Sequence, residues 1–63
     1  MNRSPNSMEM DAMRNLAVNG EMYRTELPFA IVNECIKRGW IASAAPGFVG
    51  LTPDGWKTYE ARR

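Results

Sequence analysis

The sequence predicts an α+β domain: three helices with a two- to three-stranded antiparallel sheet, in the order α-(β)-α-β-β-α. Three observations carry this expectation. Ile31, Val32, Cys35 and Ile36 form a helical apolar stripe that stops at Gly39. Trp40 to Ser43 and Phe48 to Leu51 read as strands joined across Pro46-Gly47. Thr52-Pro53-Asp54 then offers a capping hydroxyl, a proline at the first helical position and an acid in the first turn.

Length and composition narrow the function classes. A chain of 63 residues has room for one small core, because domains of this size bury only roughly 60% of their unfolded surface. Cys35 is the single cysteine, so no disulfide closes within the chain, and the absence of histidine excludes a Cys/His zinc site. One cysteine and no secretory apolar region fit a cytoplasmic setting. No apolar run approaches the roughly 20 residues of a spanning helix, so no membrane partner is expected. Catalysis has no footing. There is no histidine, no phosphate loop and no carboxylate pair on a common face, and Cys35 lies in an apolar stripe where thiols are inert. Neither an enzyme, a cofactor nor a metal is expected.

Eight basic and seven acidic residues leave a net charge of +1. A protein that holds DNA mainly through phosphates often makes about 6–10 such contacts. Here the cations are interleaved with acids: Arg24 with Glu21 and Glu26, Lys37 and Arg38 with Glu34, Lys57 with Asp54 and Glu60.

In chain order, residues 1–6 read as a disordered lead and residues 7–63 as the domain. Ser7 is the expected cap of a first helix that runs to about Asn19, with Met10, Met13, Leu16 and Ala17 on its apolar face and Gly20 as its stop. Met22-Tyr23 is either a one-ladder strand or a packed connection. Thr25 is the expected cap of the central helix, with Pro28 tolerated in its first turn. Leu27, Phe29, Ile31, Val32, Cys35 and Ile36 project onto an arc of roughly 200° at 100° per residue, which predicts a helix covered on two sides. The first strand is expected over Trp40–Ser43 and the loop over Ala44–Gly47. In the last helix Gly55 is expected to cost about 1 kcal/mol, and Trp40 and Trp56 are the expected bridges of the core. Arg62-Arg63 sit favourably at the last helix's negative end.

Cys35-Ile36-Lys37-Arg38-Gly39-Trp40-Ile41, followed by a hairpin and by Val49-Gly50-Leu51-Thr52-Pro53-Asp54-Gly55-Trp56, resembles winged-helix regulators of the MarR and PadR kind. The resemblance covers about half the chain. It implies a winged helix-turn-helix fold and binding to double-stranded DNA by a small transcriptional regulator of bacterial or phage type, working as a homodimer. On that reading Asn33 and Lys37 meet the major groove, Thr25 flanks it, and Arg24, Arg38 and Arg14 hold phosphates. The sequence departs from the family in two places. Only residues 21–38 remain for the helix-turn-helix, which leaves about one turn near Thr25 to Pro28 for a positioning helix, or none. The wing tip Ala44-Ala45-Pro46-Gly47 carries no cation. These departures motivate an alternative, a protein-interaction module on the same scaffold that does not read DNA. Bland readings stand beside each candidate: a solvated face for Asn33 and Lys37, a favourable charge at the helix end for Arg38, and core or dimer packing for Trp56 and Tyr59.

Overall fold

The computed structural model describes residues 4–62; residues 1–3 and 63 lie outside them. The chain runs through α1 (Ser7–Asn19), β1 (Met22–Tyr23), a 3-10 turn (Arg24–Glu26), α2 (Phe29–Lys37), β2 (Ile41–Ala45), β3 (Phe48–Leu51) and α3 (Pro53–Arg62). The strands form one antiparallel sheet in the order β1-β3-β2. This is the expected α+β order, with a hairpin after the central helix in the manner of a small winged helix. Met13 and Leu16 of α1, Val32 and Cys35 of α2, Leu27, Trp40, Ile41 and Val49 build the core.

The cap of α1 is Asn6, not Ser7. Asn6 Oδ1 accepts from the Glu9 amide at 2.8 Å, and Glu9 Oε1 accepts from the Asn6 amide at 3.0 Å. A reciprocal box needs an acid or amide three residues after the cap. Asn6 has Glu9 there, whereas Ser7 has Met10. Pro5 is buried, so the packing takes in part of the expected lead before Ser7, and the rest of that lead, residues 1–3, lies outside the described residues.

The start of α2 also differs. Thr25 lies inside the 3-10 turn, and α2 begins at Phe29 after Pro28, with no side-chain cap. The cause is the residue before the proline, which clashes with the ring in helical conformation. Leu27 is extended at φ −119° and ψ 154°, so a helix opened at Thr25 cannot pass through it. In place of the turn expected over Thr25 to Pro28 there is a single 3-10 turn, Arg24–Glu26.

The buried arc of α2 is narrower than expected. Ile31, Val32 and Cys35 face inward, a span of roughly 100°, while Phe29 is 69% exposed and Ile36 37%. Leu27 is buried, but it precedes the helix and does not share its projection.

The end of α2 is closed by a Schellman motif. The Trp40 amide donates to Cys35 O at 2.9 Å and the Gly39 amide to Ile36 O at 3.0 Å. This geometry places Gly39 at φ 82°, where a side chain is strained. Strand β2 starts at Ile41 and continues through Ala45, so the loop is shorter than expected, with the turn at Pro46-Gly47 and a bulge between Ser43 and Ala45.

Thr52 caps α3 as expected: its Oγ1 accepts from the Gly55 amide at 2.9 Å. The same hydroxyl donates to Gly39 O, and the Thr52 amide donates to Trp40 O at 3.0 Å. Gly55 is a close-approach residue, because a Cβ there would lie 2.0 Å from the Trp40 carbonyl oxygen. That contact sets the face α3 turns inward, and Tyr59, one turn on, packs against the core. Trp56, about 100° round the helix, is therefore 44% exposed and does not bridge the core; Trp40, 2% exposed, does.

Two outcomes follow in thermal or urea unfolding. Gly55→Ala, which helix propensity alone favours by about 1 kcal/mol, is expected instead to destabilise by roughly 1–3 kcal/mol through overpacking on the Trp40 carbonyl. A gain in stability would show that the approach is not tight. Thr52→Ala is expected to cost about 1–2 kcal/mol, and Thr52→Ser, which keeps both hydroxyl bonds, clearly less.

Candidate nucleic-acid interface

Phe29, Asn33 and Lys37 are four residues apart in turn and stack as one row on α2. The row begins at the helix N-terminus because Pro28 permits no earlier start. It faces away from the Val32–Cys35 side, and its end is marked by the Gly39 stop. A shallow groove of about 450 Å³ runs along it, lined by the row together with Ala30, Glu34 and Ile36.

Arg24 reaches this row from the 3-10 turn. Its Nη2 donates to Asn33 Oδ1 at 2.5 Å, and its guanidinium lies 5.4 Å from the centre of the Phe29 ring. Its backbone amide donates to Gly47 O at 2.8 Å in the hairpin turn. Arg24 thus touches the wing through its backbone and the α2 row through its side chain. Because the guanidinium donates, it is the Asn33 side-chain oxygen that Arg24 holds, and the amide nitrogen remains a donor for another partner.

Glu34 gathers the other two cations of α2. Lys37 Nζ lies 3.8 Å from Glu34 Oε1, and Arg38 Nη2 lies 3.4 Å from Glu34 Oε2. Lys37 is open to solvent, with 74% of its side chain exposed, whereas Arg38 keeps 29%. Exposed pairs of this kind contribute only about 0–1 kcal/mol, so Lys37 can exchange its partner for another anion at small cost.

Of the residues singled out in the sequence, the structure brings together Arg24, Asn33 and Lys37, with Arg38 behind them on Glu34. Thr25 is exposed beside the cluster. Arg14 stands on α1, where it pairs with Asp11, and is not part of the cluster. Ser43 donates to Ala45 O at 3.4 Å within the hairpin. Phe29 is the residue that the sequence reading assigned to the core. On the helical projection it falls nearer to Asn33 than to Cys35, and that signal was present in the spacing.

A second exposed surface lies on the outer face of the sheet. Tyr23 and Phe48 are paired across β1 and β3, with ring centroids 4.3 Å apart, and Tyr23 is 55% exposed. Among the described residues, no helix is long and apolar enough to cross a membrane, and no cluster of His, Cys, Asp and Glu is placed to hold a metal ion. No protein-family model, curated protein or solved structure matches the chain.

The reassignment of Phe29 is testable by stability. Phe29→Ala is expected to change unfolding free energy by no more than about 0.5 kcal/mol, as an exposed substitution does. Leu27→Ala, two residues earlier, is expected to cost about 2–5 kcal/mol as a buried truncation. Equal losses would return Phe29 to the core.

Proposed function

We propose that this protein binds double-stranded DNA through the outward row of α2, as a small cytoplasmic transcriptional regulator of bacterial or phage type. The observation that supports this reading is the placement of Asn33 and Lys37. They stand one turn apart on the solvent side of the helix that precedes the hairpin, with the Asn33 amide held by Arg24. A major groove about 12 Å wide admits one helix, an oriented asparagine pairs with adenine, and lysine meets guanine or phosphate. With a net charge of +1 and few local cations, a single chain makes few phosphate contacts. Binding by one copy is therefore weak, and two copies on two half-sites supply the missing contacts. Met8 and Val18, 60% and 76% exposed on α1, offer apolar area for such a pairing.

A second reading, a protein-interaction module, is supported by a different observation. Tyr23, exposed, and Phe48, half-buried, form a tilted aromatic pair on a sheet whose turn, Pro46-Gly47, carries no charge. Aromatic side chains are enriched where proteins meet one another. A pull-down that recovers a protein and no nucleic acid would favour this reading.

A fluorescence anisotropy titration decides between them. At low salt the chain is expected to bind duplex DNA, with affinity falling steeply as salt rises. Lys37→Glu, folded by circular dichroism, is expected to reduce the salt slope by about 1 or more. Failure to bind any duplex at low salt would sink the DNA reading.

A further inference from the structure

The geometry points to a division of labour inside the α2 row. Arg24 is a positioning residue that holds Phe29 and Asn33 as a reading pair for a thymine and an adenine, and is not a phosphate contact. The inference rests on the DNA reading above and narrows it to a class of site.

The Arg24 guanidinium is already engaged on two sides, by Asn33 through its Nη2 and by the Phe29 ring, and the residue's backbone is fixed by the amide's bond to Gly47 O. Its Nε is buried. Turning this guanidinium outward to a phosphate would break the Asn33 bond and uncover the Phe29 ring. Lys37, by contrast, is open and only loosely paired. The two cations therefore have different work.

What Arg24 holds has a definite chemistry. Phe29 is a large apolar ring at the first helical position, 69% exposed. The N-terminal residues of a recognition helix are those that reach base edges. The apolar feature on the major-groove edge of a base pair is the thymine 5-methyl group, and phenylalanine is among the side chains that contact it. Asn33, one turn on, has one lone pair of its oxygen taken by Arg24, which leaves the second lone pair and the amide nitrogen for a base. Such an amide can donate to adenine N7 and accept from N6 together. The two side chains are separated along the helix by about 6 Å, or roughly two base-pair steps of 3.4 Å. The preferred site therefore places a thymine and an adenine about two base pairs apart in each half-site.

The test is selection of a preferred duplex from a randomised library with the full chain, followed by anisotropy titrations on that duplex. Replacing the selected thymine by deoxyuridine removes only its methyl. This is expected to weaken binding about fourfold, as the loss of one buried methyl does, and to leave the Phe29→Ala variant unaffected. Arg24→Lys keeps the charge and loses the planar fork. It is expected to retain affinity for random duplex and its salt slope, while discrimination at the adenine falls about fivefold or more. If Arg24→Lys matches the parent at every base, or if deoxyuridine binds as well as thymine, the inference is overturned. A parent chain that binds no duplex overturns the DNA reading itself, and is recognised because no specificity remains to compare. Should Arg24→Lys unfold, the deoxyuridine series on parent and Phe29→Ala decides the matter without touching Arg24.

Discussion

The structure depends on one crossing, where the first turn of α3 lies against the chain between Gly39 and Trp40. The Trp40 carbonyl receives the Thr52 amide, the Gly39 carbonyl receives the Thr52 hydroxyl, and Gly55 has no side chain to hold α3 away. The two carbonyls belong to the link that leaves α2, and the Thr52 amide is a donor that the start of α3 would otherwise leave without a helical partner. With the crossing fixed, Trp40 is buried, Ile41 enters the sheet on its inner face, and α2 leaves in the one direction that presents Phe29, Asn33 and Lys37 to solvent. A core this small has little other means of setting the angle between its helices.

The charges follow from the same economy of structure. Arg14 pairs with Asp11 and both Lys37 and Arg38 pair with Glu34, while Arg24 is held by an amide and a ring. The ion pairs are local along their helices; those of Arg14 and Lys37 are open to water and restrain side chains more than they stabilise the fold, whereas Arg38 is half-buried. Arg24 differs because it joins parts of the chain that are distant in sequence. Its loss would therefore change the shape of the surface as well as its potential.

Much of the fold was legible because its signals are local. Thr52-Pro53-Asp54 and Gly39 mark helix ends by mechanisms confined to a few residues, and both stand where expected. The misread positions each depend on something further away. Thr25 failed as a cap because of Pro28, acting through Leu27. Phe29 and Ile36 left the core because α2 is shorter and its buried side narrower than periodicity alone implies. Trp56 lost its place to a glycine, since the Trp40 carbonyl that selects Gly55 belongs to another element. For the candidate interface, Asn33 and Lys37 were visible as a polar face, but the grip of Arg24 on Asn33 and Phe29 was not. It requires the 3-10 turn to bring residue 24 beside α2, and no sequence spacing encodes that contact.

The strand order β1-β3-β2 leaves β2 at an edge of the sheet. Ile41–Ala45 carries no charge and no proline, two of the devices by which edge strands repel a neighbouring chain. Its protection is instead geometric: the bulge between Ser43 and Ala45 breaks the ladder, and Pro46 ends it. A bulge bends the strand and leaves its extra residue unpaired, so an incoming strand finds only a short regular stretch. In this chain the irregularity in the wing is a safeguard against self-association through the sheet.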